Sequence, residues 1–98
     1  MFDKGGVVYM MTNTSYGVLY VGVTSDLWTR IYRHKVGLYK NSFTSRYHLN
    51  RLVYYKFFLT IDEAILEEKR IKGGNRAHKI KLILAMNPNW EDLSENLK

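Results

Sequence analysis

The chain has no cysteine, which excludes disulfides and thiolate metal sites. It has one proline, Pro88, placed where Asn87-Pro88 stops a helix. No run of 18 apolar residues occurs, so no transmembrane helix is expected. The first residues, Met1-Phe2-Asp3-Lys4-Gly5-Gly6, lack the charged-then-apolar layout of a secretory signal. A cytoplasmic location is the default expectation. A phosphate-cradling G-x-x-x-x-G-K-[ST] loop, a G-x-G-x-x-G turn and an H-E-x-x-H helix are all missing. His34, His48 and His78 are too scattered to form a metal cluster by spacing. Acidic residues are also few, nine Asp+Glu against fifteen Lys+Arg, for a formal charge of +6. On a small domain that excess favours a polyanionic partner through counterion release and long-range attraction, and interleaved aromatics point to nucleic acid.

Ninety-eight residues with 46% hydrophobic content suffice for one domain, 1–98, and one core. Its first recognisable unit is a hairpin. Val7-Val8-Tyr9-Met10-Met11-Thr12-Asn13 and Gly17-Val18-Leu19-Tyr20-Val21-Gly22-Val23 are β-rich runs joined by a short polar turn. An even-numbered loop sets Tyr9 opposite Tyr20 with both side chains on one face. An odd one sets Val21 opposite Tyr9. Ser25 is placed to cap a helix over 26–35 or 26–36 with Asp26 in its first turn, and Gly37 ends it. Leu27, Trp28 and Ile31 form its apolar side. Arg30 and His34, one turn apart, fall at the border where helix meets sheet. Arg33 and Lys35 face solvent.

Residues 36–50 read as a long loop mixing basic, aromatic and hydroxyl groups, in which Lys40 and Arg46 are suited to phosphate contacts. Leu52-Val53-Tyr54-Tyr55-Lys56-Phe57-Phe58 is a third strand whose nearly continuous apolar character implies burial on both faces. Thr60-Ile61-Asp62-Glu63 is a capping box, and the helix it opens runs to about residue 72. Ile61, Ala64, Ile65 and Ile71 give this helix its inward face. Glu68 falls within that apolar arc, whereas Glu63 and Glu67 point to solvent. A carboxylate in an apolar stripe requires a cation, either a metal ion or a partner such as Arg30 or Lys72. Gly73-Gly74 breaks the helix and Asn75 caps another over 76–86. Ala77, Ile80, Ile83 and Leu84 form its buried side, and Arg76, Lys79 and Lys81 its basic surface. Trp90 and Leu93 are expected to dock the tail.

These residues together resemble the GIY-YIG nuclease family. Val7-Val8-Tyr9 and Tyr20-Val21-Gly22 are similar to the two halves of its signature, with Val7-Val8 in place of Gly-Ile. Arg30, His34 and Glu68 stand where the family keeps an arginine, a histidine or tyrosine, and a metal-binding glutamate. Phe43-Thr44-Ser45-Arg46-Tyr47, Leu52-Val53-Tyr54-Tyr55 and Asn87-Pro88-Asn89-Trp90 are similar to a small single-domain bacterial branch, related to the nuclease half of excinuclease C. Asn87 is the candidate for the family's late asparagine. The resemblance implies an α+β fold, a small three-stranded antiparallel sheet flanked by helices.

It also implies hydrolysis of DNA phosphodiesters. Glu68 would hold a single Mg²⁺ or Mn²⁺. Arg30 would bind non-bridging phosphate oxygens. Tyr9 would orient or deprotonate the attacking water, its pKa of ~10 lowered by nearby positive charge. His34 and Tyr20 would hydrogen-bond around the same centre. Lys40, Arg46, Arg76, Lys79 and Lys81 would carry the strand. The expected function is therefore a structure-selective or weakly specific endonuclease in DNA repair or processing, acting on branched, flap or damaged DNA. Two other readings are a nucleic-acid-binding module that keeps the fold without activity, and a small protein-interaction domain.

Overall fold

In the run Val7–Met11 every residue is apolar, and strand position explains why. The computed structural model describes residues 5–36 and 47–97. In it β1 (Gly6–Thr12) is the middle strand of a three-stranded sheet, between β2 (Leu19–Thr24) and β3 (Arg51–Phe58), antiparallel to both. All seven β1 residues are buried. A middle strand covered on both faces has no polar side, so its sequence shows no alternation. The fold is α+β, as expected.

The two sheet faces are covered by different helices. Helix α1 (Leu27–Lys35) lies on the face carrying Val7, Tyr9 and Met11, where Leu27 and Ile31 complete a core with Leu49 and Leu52. Helices α2 (Ile61–Lys72) and α3 (Arg76–Met86) cover the opposite face of Val8 and Met10, contributing Ala64, Ile71 and Ile83. Helix α2 sits very close to β1. A Cβ at Gly6 would lie 2.5 Å from Ala64 Cβ and 2.9 Å from Ile61 Cα, so only glycine permits this approach.

Several local expectations are corrected. Asp26, not Ser25, caps α1: its carboxylate accepts from the Thr29 amide at 3.2 Å and the Thr29 hydroxyl at 2.8 Å. Trp28 is half-exposed and stacks in parallel on Tyr32, leaving the buried stripe to Leu27 and Ile31. Strand β3 is buried on both faces only over Leu52–Tyr54. Lys56 and Phe57 are exposed because β3 is an edge and its far end outruns its cover. Ala77 is exposed on α3. The Thr60 capping box forms as expected, its hydroxyl accepting from the Glu63 amide at 3.2 Å.

The tail docks as Trp90 and Leu93 suggested. Trp90 is buried with the α2–α3 core, while Leu93 and Leu97 of a short 3₁₀ helix (Leu93–Leu97) pack on the α1 side. Between them the chain rounds the start of β3. Arg51 donates to the Trp90 carbonyl at 3.1 Å, and Asp92 accepts from the Leu52 amide at 3.2 Å while pairing with Lys35 of α1.

Candidate active site

The hairpin register decides which side chains meet. Tyr9 pairs with Gly22, and Tyr20 with Met11. Neither register considered from sequence occurs. The six-residue connection between Thr12 and Leu19 is even, which fixes the shared face of Tyr9 and Tyr20 but leaves them diagonal neighbours rather than opposite ones. Their ring centroids are 6.1 Å apart. Gly22 makes this possible, because a Cβ there would stand 2.5 Å from Tyr9 Cζ.

Helix α1 brings the next two groups. Its buried stripe of Leu27 and Ile31 presses on the Tyr9 face, which turns the flank holding Arg30 and His34 toward the tyrosines. The Tyr9 hydroxyl and His34 Nε2 are 3.2 Å apart. The His34 ring lies 6.1 Å from Tyr9 and 5.8 Å from Tyr20, centroid to centroid. Arg30 acts electrostatically on both Tyr9 and His34. Four of the five residues singled out as catalytic candidates therefore share one cluster.

Their protonation follows from burial. Tyr9 is fully buried, and burial, helped by Tyr20, pushes its phenol well above the usual range against the opposing pull of Arg30. This corrects the expectation that positive charge would lower it: one guanidinium does not offset the loss of water around the ring. Burial and then Arg30 lower His34 to about 4. At neutral pH the imidazole is uncharged, so Nε2 can accept the proton of the Tyr9 hydroxyl.

Glu68 comes from α2, on the other side of the sheet. Its carboxylate Oε2 holds Lys72 Nζ at 2.9 Å, the pairing that the apolar-stripe argument allowed beside a metal. Lys72 and Lys79 border a hollow of about 330 Å³ along the β2 edge, together with Leu19, Tyr20 and Val21. Tyr20 thus belongs to the tyrosine–histidine cluster and to this hollow, and Lys72 connects the hollow to Glu68. Glu67, expected in solvent, has a side chain as covered as that of Glu68, 15% against 14% exposed. Arg70 grips it in two short hydrogen bonds and holds its carboxyl below the usual range. That pairing distinguishes the adjacent glutamates, since Glu67 is committed to a bidentate arginine and Glu68 to a single flexible lysine.

No group of three or more histidines or carboxylates assembles among the described residues. A hard divalent ion that keeps most of its waters needs only one protein carboxylate, and Glu68 fits that sparse requirement.

The remaining assignments divide. Lys40 and Arg46 lie outside the described residues. Arg76 donates to the carbonyls of Tyr16 and Gly17 at 2.6 and 2.7 Å, bracing the hairpin loop. Lys79 donates to the Gly74 carbonyl at 3.0 Å while lining the hollow. Lys81 is exposed. Asn87 is buried within the tail junction: its amide nitrogen donates to the Val53 and Glu91 carbonyls, and its oxygen accepts from the Glu91 amide. Val53 is the extra residue where the β1–β3 register slips, so Asn87 serves the carbonyl of that bulge.

Sequence reasoning passed over the packing role of Gly22, and it offered Lys72 only as one of two ion-pair partners for Glu68. The spacing of Lys72 four residues after Glu68 was the available signal.

A family model described as the GIY-YIG catalytic domain matches residues 5–81. No match was found among curated proteins or solved structures.

Proposed function

This chain belongs to the GIY-YIG family, and from that premise of a nuclease-type domain we propose a DNA endonuclease, structure-selective or weakly specific, that serves DNA repair or processing. The observation that carries the reading is the contact between the Tyr9 hydroxyl and His34 Nε2, formed beside Tyr20 and Arg30.

The residues divide the work of phosphodiester hydrolysis. Tyr9 remains protonated at neutral pH, so it acts as a relay rather than as a phenolate. Its hydroxyl proton passes to His34 Nε2 while its oxygen takes a proton from the attacking water. The resulting hydroxide forms the new bond to phosphorus. Negative charge building on the phosphorane favours the imidazolium at that moment, offsetting the burial and the Arg30 charge that disfavour it at rest. Arg30 binds the non-bridging oxygens as their charge grows. Tyr20 holds the ring geometry from the edge strand. Glu68 would hold one divalent ion, Mg²⁺ or Mn²⁺, and that ion would supply charge relief to the phosphate and the leaving oxygen.

The test is nicking of plasmid, flap and branched DNA with Mg²⁺ or Mn²⁺, beside an EDTA control. Metal-dependent nicking that Tyr9→Phe and Arg30→Ala each reduce by at least a hundredfold is the expected result. DNA binding without cleavage by the wild type, in either metal, would leave only the binding-module reading.

A further inference from the structure

Lys72 occupies two settings at once. Its ammonium sits on Glu68 Oε2 at 2.9 Å, and its side chain borders the hollow beside Tyr20. The two partners of the ion pair differ in freedom. The Glu68 side chain is 14% exposed, whereas that of Lys72 is 51% exposed, on a flexible stem in the last turn of α2. Across the hollow the ammonium of Lys79 is tied to the Gly74 carbonyl at 3.0 Å. Lys72 is therefore the more exposed of the two cations that border this opening.

We propose that Lys72 is a positioning residue exchanged between the Glu68 carboxylate and a substrate phosphate oxygen in the hollow beside Tyr20. The inference rests on the reading of Glu68 as the metal-holding carboxylate. A divalent ion and an ammonium compete for the same oxygen, so Lys72 weakens cation binding for as long as it stays on Glu68. A phosphodiester in the hollow draws Lys72 away and leaves the carboxylate open. Substrate and divalent ion then strengthen one another's binding through one side chain, and the coupling is reciprocal. Without substrate, Lys72 keeps the negative charge of Glu68 satisfied.

The experiment compares Mn²⁺ affinity, by electron paramagnetic resonance at low salt, for the full-length wild type, Lys72→Met, Lys72→Arg and Glu68→Gln. Lys72→Met is expected to bind Mn²⁺ about two- to fivefold tighter than wild type, the factor that an exposed ion pair permits. Lys72→Arg should stay close to wild type, and Glu68→Gln should lose the site. A second readout is the affinity for a phosphorothioate duplex by fluorescence anisotropy. Lys72→Met should weaken it more in Mn²⁺ than in EDTA, because in EDTA the phosphate must also break the Lys72–Glu68 pair, which Mn²⁺ has already displaced. Equal Mn²⁺ affinity in wild type and Lys72→Met, with Glu68→Gln still abolishing binding, would overturn the exchange and leave the catalytic reading standing. Mn²⁺ binding that survives Glu68→Gln would overturn both. A duplex-affinity loss no larger in Mn²⁺ than in EDTA would also overturn the exchange.

Discussion

Gly22 lies directly against the ring of Tyr9, so close that a methyl group at this position would fall 2.6 Å from the Tyr9 hydroxyl oxygen and 2.9 Å from Tyr20 Cε2. Both rings are anchored in the sheet, and neither can yield without leaving the His34 contact. Gly22→Ala is therefore expected to cost about 1–3 kcal/mol of stability through overpacking, seen in urea denaturation. Nicking should fall more than a hundredfold at temperatures where the variant is still folded. Wild-type nicking by the folded variant would separate the Tyr9 position from catalysis.

Glu68→Gln keeps side-chain volume and removes the charge. The ion pair it breaks has a half-exposed lysine, so the stability loss should stay within about 1 kcal/mol rather than reach the 3–5 kcal/mol of a buried pair. Metal-dependent cleavage should fall by orders of magnitude while DNA binding in EDTA persists. Melting temperature and nicking rate, measured together, check this. An early-melting variant that cuts at the wild-type rate when folded would refute the catalytic role.

His34 gives stability a defined acid dependence. Its folded value is about 4 against 6.5 for the unconstrained group. Between those values the unfolded chain binds a proton that the folded chain does not, so stability falls as pH drops from about 6.5 to about 4. Below that window this group adds no further loss. Wild type and His34→Gln, denatured at pH 7.5 and pH 5, are expected to differ in sensitivity, with the variant losing less stability on acidification. Equal losses would place His34 in an environment that leaves its titration unchanged.

Asn87→Ala should behave as a structural lesion. It leaves the buried Val53 carbonyl without its side-chain donor and releases the turn to Glu91, at a cost of about 1–3 kcal/mol per unmet group. Thermal melting should fall clearly, while the folded fraction nicks at close to the wild-type rate. The reverse pattern, unchanged melting and lost nicking, would return Asn87 to the catalytic set.

Lys81 and Arg76 should separate in a salt titration. Losing a phosphate contact lowers the slope of log affinity against log salt by ~0.9 on duplex DNA. Lys81→Ala is expected to show this change alone. Arg76→Ala should also lower the melting temperature, since its guanidinium holds two hairpin-loop carbonyls. Affinity unaffected by salt in the wild type would reject electrostatic binding.

Elements defined by local chemistry were legible in the sequence. The Thr60 box, the Asn87-Pro88 stop and the three strands follow from spacing and residue type, whereas the face shared by Tyr9 and Tyr20 was one of two open alternatives. What escaped depends on contacts distant in sequence. The two-residue offset of the hairpin is set by Tyr9 lying over Gly22, which parity alone cannot reveal. The commitment of Glu67 to Arg70 was hidden by helix periodicity, which gives a direction but not a partner. The phenol of Tyr9 required knowing that burial exceeds the influence of Arg30. Asn87 showed its role only once the bulge at Val53 gave it a carbonyl to serve.

The course of the chain around β3 bears on the timing of folding. Strand β1 is made before β3, and one of its edges waits for residues 39 to 52 positions later, while both layers of its cover are completed by Trp90, Leu93 and Leu97. An emerging chain therefore carries an apolar strand that only the hairpin can partly shelter, and the domain closes when its last turns arrive. Such late, long-range closure makes folding slower than local helix formation and exposes the incomplete chain to association with its neighbours. Removing the residues after Met86 would prolong that vulnerable interval indefinitely, so the tail acts as the latch that ends it.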